Sequence, residues 1–130
     1  MMIDMTDMIE VLDRLKEAEP KTYQEIKYYV TQMEGCLEDE EGNPQIAATL
    51  HYLAKYPRSY ALLCDSIQGC IQRAIAARGW SWDLRSRGSD RPFARILIPK
   101  SACDAIEYGS SGATPVEAIL ASYLAALEAQ

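Results

Sequence analysis

Arg78, Arg85, Arg87, Arg91, Arg95 and Lys100 fall within residues 78–100, where only Asp83 and Asp90 oppose them, a local charge of +4. Trp80 and Trp82 stand in the same stretch, and Tyr108 follows it. Guanidinium groups fork onto carboxylates and phosphates. Indole rings stack on bases or lie under cations. Together these residue types point to binding of an anionic group, and they contain no nucleophile–base arrangement that would point to a reaction. The candidate binding residues are therefore Trp80, Trp82, Arg85, Arg87, Arg91, Arg95, Lys100 and Tyr108. The rest of the chain has the opposite sign. Its net charge is −6, and residues 1–56 carry twelve acids and five bases, a local −7.

Other residues that carry chemistry are sparse. His51 is the single histidine and has no partner at triad or ligand spacing, so it reads as a surface or capping residue. Cys36, Cys64, Cys70 and Cys103 are 28, 6 and 33 residues apart, with no C-x-x-C, so no zinc knuckle or redox pair is implied. Cys64 and Cys70 fall in an expected helix, about 600° of turn apart and hence on different faces. Asp83 and Asp90 read as salt-bridge partners of the arginines. Gly109-Ser110-Ser111-Gly112 reads as a flexible loop whose N–H groups, with the helix start at Thr114, offer a weak anion site. No phosphate-loop or dinucleotide fingerprint is present, and no metal or cofactor is expected. The run Glu38-Asp39-Glu40-Glu41 reads as a solvated loop. Tyr23, Tyr28, Tyr29, Tyr52, Tyr56 and Tyr60 concentrate in the acidic half, where they suit either core packing or a partner or dimer surface.

The 130 residues, 48% of them apolar, are enough for one ordinary core. No apolar run approaches the roughly 18 residues that a membrane span needs. Met1–Glu10 has three acids and no base, unlike a secretory signal, so a cytoplasmic protein is expected. The acidic balance argues against broad binding of duplex DNA or RNA.

Five helices and three strands must position these residues. Thr6 caps a helix with Met8, Ile9, Leu12 and Leu15 on one face, and Pro20 ends it. Thr22-Tyr23-Gln24-Glu25 is a capping box, opening a helix whose period runs through Ile26, Tyr29, Val30, Met33 and Leu37. Asn43-Pro44 opens a third helix with Ile46, Leu50, Leu53 and Ala54 inward, ending before Pro57. Ser59 caps a fourth, with Leu63, Ile67, Cys70, Ile71 and Ala74 in its stripe and Gly79 as its terminal glycine. The period then changes to 2. Trp80, Trp82 and Leu84 alternate with Ser81, Asp83 and Arg85, and the two tryptophans are expected to pack under helices, or one in the core and one at its rim. Phe93 to Ile98 forms a second strand that Pro99 ends, and Ala105 to Tyr108 a third. Thr114-Pro115-Val116-Glu117 opens the last helix, followed by Ile119, Leu120, Tyr123, Leu124 and Leu127. The expected fold is α+β: an N-terminal helical segment, residues 1–57, then an α-β-β-β-α sandwich, residues 58–130, with a small antiparallel sheet packed by helices, the whole one compact unit.

The stretch Ser66 to Leu84, with its turn Arg78-Gly79-Trp80-Ser81-Trp82-Asp83-Leu84, resembles the phage ABA-sandwich family, small proteins of tailed phages and prophages. Ala113-Thr114-Pro115-Val116-Glu117-Ala118-Ile119-Leu120 and the Ala-rich continuation to Ala126 match as well, and Ile9 to Pro20 matches loosely. Residues 21–57 are longer and more acidic than the family pattern, and Val116 to Leu120 lacks a cysteine often found there. The resemblance implies a phage accessory protein, non-enzymatic and active in the host cytoplasm. Such proteins bind host defence proteins, as anti-CRISPRs do, or sequester phosphorylated or cyclic nucleotide signals, or assist virion assembly. No catalytic residue carries over.

Overall fold

The computed structural model describes residues 6–86 and 90–130. Five helices and three strands follow in the order α1 (Thr6–Ala18), α2 (Pro20–Thr31), α3 (Ile46–Leu53), α4 (Pro57–Ala77), β1 (Ser81–Arg85), β2 (Phe93–Ser101), β3 (Asp104–Ser111), α5 (Pro115–Glu128). The fold is α+β, with helices first, then an antiparallel sheet ordered β1-β2-β3, then a helix packed on it. The residues up to Ile67 form one compact unit and Gln68–Gln130 a second. Among the described residues no helix is long and apolar enough to cross a membrane.

In the first unit, Met8, Leu12 and Leu15 of α1 are buried, the stripe that the spacing predicts. The start of α2 differs from the sequence expectation. It begins at Pro20, with Glu19 as N-cap and proline in the first turn, because proline fixes a helical φ and lacks only a donor that is unsatisfied there. Thr22 is therefore inside the helix, and its hydroxyl donates to the Glu19 carboxylate. The end of α2 also differs, falling at Thr31 with Gln32 as C-cap. Gly35 has φ +95°, so the helical period cannot reach Leu37, which is 39% exposed. The acidic run is exposed and locally ordered. The Asp39 carboxylate accepts from the N–H groups of Glu41 and Asn43, both at 2.9 Å, and these bonds hold it below the ordinary carboxyl pKa. Pro44 forms an isolated bridge with Glu38, so α3 opens two residues later than expected, with Gln45 as N-cap.

The second unit is organised around α5. Val116, Ala118, Ile119, Leu120, Tyr123, Leu124 and Ala126 are all buried, which is burial on every side rather than along one stripe. Its start is a capping box: the Thr114 hydroxyl accepts from Glu117 N–H at 3.4 Å, and the Glu117 carboxylate accepts from Ala113 N–H at 3.1 Å. The sheet presents Ala94 and Ile96 to the core, both fully buried. Two strand limits differ from expectation. Pro99 does not end β2, since β1 stops at Ser81 opposite Leu97, leaving Pro99 on a free edge beside a bulge at Pro99/Ser101. Residues 109–111 are not a loop; they complete β3, paired with Arg95, Ala94 and Phe93.

The glycines here serve close approach. A Cβ on Gly112 would lie 2.6 Å from the Ala118 nitrogen and 2.9 Å from the Glu117 carbonyl carbon, so α5 seats directly on the strand end. Gly112→Ala should therefore destabilise the protein by about 1–3 kcal/mol, as overpacking does, because backbone must move. Urea unfolding measures this, and an unchanged midpoint would show that the contact relaxes freely.

Candidate functional site

The end of α4 sets the first tryptophan. Trp80 N–H donates to Ile75 C=O at 3.2 Å and Gly79 N–H to Ala76 C=O at 3.0 Å, with Gly79 at φ +75°. This is a Schellman motif, and it turns the chain from helix into strand at the position the sequence marks. Trp80 is half-buried and meets Tyr123 edge-on, with ring centroids 6.2 Å apart and planes at 68°. The Arg78 guanidinium lies 5.1 Å from the Trp80 ring centre, and its Nε donates to the Tyr123 hydroxyl at 3.2 Å. Arg78 and Trp80 are thus tied into the packing of α5.

Strand register separates the remaining candidates. Trp82 pairs with Ile96, Leu84 with Ala94, and Tyr108 with Ile96 from the other side, so these residues share the face toward α5. Ser81, Asp83 and Arg85 share the opposite, open face with Phe93, Arg95, Leu97, Glu107 and Gly109. Of the two arrangements expected for the tryptophans, packing of both does not hold, since Trp82 is 38% exposed; the one found has Trp80 packed and Trp82 at the rim. The reason is positional: α5 lies over β2 and β3, leaving the edge strand β1 at its margin.

On the open face, Arg95 is already engaged. Its Nε donates to both Asp83 oxygens at 3.1 Å, its Nη2 also meets Asp83, and its Nη1 lies 3.3 Å from Glu107. This fork, more than the charge of Arg85, holds Asp83 below the ordinary carboxyl pKa against the opposing effect of partial burial. Arg85 lies 3.9 Å from the same carboxylate. Asp83 and Glu107 thus offset Arg85 and Arg95 across the sheet, and the basic stretch is far less positive in three dimensions than in sequence. Glu107 escaped the sequence reading because it lies on another strand, diagonal to Arg95.

At one end of this face, Arg85, Asp90, Arg91 and Phe93 line an open cavity of about 240 Å³. Arg91 makes no ion pair among the described residues. Phe93, the only phenylalanine, is 38% exposed, and its ring lies across Gly109, where a Cβ would come within 2.6 Å of the ring. Its odd position against the buried Ala94 and Ile96 was the signal that could have marked it. Arg87 lies outside the described residues. Lys100 is seven residues along β2 from Phe93, about 23 Å at strand rise, so it belongs to the other end of the sheet. The Gly/Ser stretch supplies no anion site. Its residues sit in the sheet ladder, Gly112 N–H donates to Pro92 C=O at 3.0 Å, and the Glu117 carboxylate occupies the helix start.

His51 is exposed at the end of α3. All four cysteines are free thiols: Cys70 is buried, Cys103 exposed and the other two half-buried. Among the described residues no group of three histidine, cysteine or acidic side chains could hold a metal ion.

Two stability measurements follow. Trp80→Ala should cost about 2–3 kcal/mol, below the full range for a buried tryptophan, and Trp82→Ala about 1 kcal/mol or less. Equal costs would contradict the split between packed and marginal ring. Asp83→Asn should cost about 1 kcal/mol near neutral pH, the scale of a well-formed but partly exposed pair. The folded pKa of Asp83 is lowered, so its contribution is full above the unfolded carboxyl value of about 3.9 and is lost as pH falls through the folded value. The gap between wild type and variant should therefore close on acidification, and a gap that widens would reverse the assignment. Comparison with protein-family models, with curated proteins and with solved structures finds no match for this chain.

Proposed function

We propose that this chain is a non-enzymatic binding protein that captures a partner protein at the sheet end formed by Arg85, Arg91 and Phe93, and that it serves a phage or prophage by antagonising a host defence system. The observation that carries the binding mode is the mixed character of this cavity: two arginines, one aspartate and an exposed aromatic ring around an open 240 Å³ space. Aromatic and arginine side chains are the usual anchors of protein interfaces. A polyphosphate would favour several unopposed bases, whereas here Asp90 lines the cavity and Arg95 is held by Asp83 and Glu107. An acidic side chain on a protein, flanked by apolar surface, matches this balance. The phage setting is supported by the resemblance at Ser66–Leu84 and Ala113–Leu120, not by a matched relative. Action in the host cytoplasm belongs to the same reading.

A second reading, a sponge for a phosphorylated or cyclic nucleotide, is favoured by the Phe93 ring beside two guanidinium groups, since an exposed ring is a stacking surface for a base. Duplex DNA or RNA is not the expected ligand under either reading, because phosphate-dominated binding needs many clustered bases.

The test uses Arg85→Glu with Arg91→Glu. These exposed residues contribute little to folding, typically under about 1 kcal/mol each. Plaque counts on strains that each carry one defence system should rise with the wild-type protein and return to baseline with the double variant, at similar melting temperatures. Calorimetry against cyclic dinucleotides separates the second reading, which requires saturable binding that the double variant loses. Full protection by the charge-reversed protein would remove the site from this end of the sheet.

A further inference from the structure

The acidic first unit holds a second cavity of about 240 Å³, lined by Glu34, Gly35, Tyr52, Leu53, Tyr56 and Ser59. Its construction begins after α2. Leu37 N–H donates to the Thr49 hydroxyl at 3.0 Å, and Gln45 N–H to Leu37 C=O at 2.8 Å, which fixes the segment from Glu34 to Leu37 against α3. Thr49 is fully buried, so this attachment is shielded from water. Gly35 then meets Tyr52 at very short range: a Cβ there would lie 2.8 Å from the ring carbon Cε1. With φ +95° as well, position 35 admits glycine and little else, and the ring rests against bare backbone. Tyr56 stands just ahead of α4, its carbonyl accepting Tyr60 N–H at 2.9 Å. The Tyr52 and Tyr56 rings sit 5.3 Å apart at 53°, so two walls of the cavity are aromatic and inclined to each other. Glu34 adds a carboxylate close enough to act on Tyr52. The two rings stay accessible, at 36% and 49% exposure.

Two inclined tyrosine rings and a carboxylate border one space, a set of groups whose ring electrons and full negative charge attract cations. We propose that this cavity takes the charged end of an arginine or lysine side chain presented by a basic segment of a partner protein. The occupant is identified by charge complementarity. Residues 1–67 carry thirteen acids and six bases, and the cavity contains a carboxylate and no base, since Lys55 and Arg58 do not line it. Among the described residues no base pairs with Glu34. The Tyr56 side chain beside it, and after that burial and the Glu34 charge, push the Tyr52 phenol above its ordinary pKa, so the Tyr52 ring is a neutral phenol rather than a phenolate at physiological pH. This site is separate from the sheet-end cavity and does not depend on the reading of that cavity.

The probe is a blocked hexapeptide of alternating arginine and glycine, with citrulline replacing arginine as the uncharged control, titrated calorimetrically into the full chain. The arginine peptide should bind and the citrulline peptide should not. Glu34→Gln and Tyr56→Leu should each weaken binding about tenfold, the scale of losing one charge partner or one ring face from a partly desolvated site. Tyr56→Phe keeps the ring face and should stay within about twofold, which holds the test open if Tyr56→Leu fails to fold. Glu38→Gln and Glu40→Gln, on the exposed loop, should also stay within about twofold, as screened distant charges do. Arg85→Glu with Arg91→Glu should leave this titration unchanged, so its outcome is independent of the sheet-end site. No binding, equal binding of the citrulline peptide, or a loss at Glu38 and Glu40 equal to that at Glu34 would each overturn the proposal.

Discussion

Ser122 is fully buried in α5, and its hydroxyl lies 2.9 Å from the Ala94 carbonyl of β2 and 2.8 Å from the Ala118 carbonyl of its own helix. A serine in mid-helix usually bonds back to the preceding turn. Here the same hydroxyl also touches the central strand, so helix and sheet approach at a small residue without a layer of large side chains between them. The rest of the second unit depends on this closeness. Ala94 and Ser122 are small where they meet, Gly112 leaves room for the helix backbone, and the large residues Ile96, Ile119 and Tyr123 fill the adjoining space. A helix centred on β2 and β3 also decides which residues are left over. Trp82 falls at the margin because of its strand, not because of its chemistry.

The same geometry divides the charges. A three-stranded sheet with a helix on one face turns alternate residues to the other, where α5 cannot cover them. Arg95 stands in the middle of that open face, on the central strand, and can reach a carboxylate on each side. Its fork onto Asp83 and its contact with Glu107 therefore knit three strands from the exposed side, as Ala94 and Ile96 do from the buried side. A cationic side chain in this position serves sheet order first. What remains available for a ligand is displaced to the end of the sheet, beyond the reach of Glu107, where Arg91 and Phe93 sit.

Much of the architecture is legible in the sequence because it rests on local physics. The changes of period, the capping box at Thr114 and the terminal glycine at position 79 each act within a few residues, and the structure realises all three. The misplacements have non-local causes. Gly109 to Gly112 reads as a flexible linker by composition, yet its two glycines sit where the Phe93 ring presses on Gly109 and α5 presses on Gly112. Leu37 fits a helical period, yet Gly35 breaks it to seat Tyr52, seventeen positions away. The candidate sites divide along the same line. The arginine stretch is visible as a run of like residues, but its neutralisation by Glu107 requires the register of β3. The Tyr52–Tyr56 cavity involves an acid and a glycine from a different segment, and no linear pattern marks it.

The two cavities have similar volumes and opposite electrostatic character. One places two arginines against one aspartate; the other places a carboxylate beside two ring faces. A protein with a single charged patch is selective mainly for the sign of its partner's charge, and that selectivity fades as salt rises. Under the two proposals above, sites of opposite preference on one chain restrict the choice further, because a partner must offer both an acid and a base to engage both. Each contact alone is modest, since exposed charge pairs contribute little. Their combination raises specificity faster than either raises affinity, because a partner of uniform charge would be attracted at one cavity and repelled at the other. Under those proposals an acidic chain has a physical reason to retain a basic sheet end: opposite sites would discriminate against the generic polyanions and polycations of a cell.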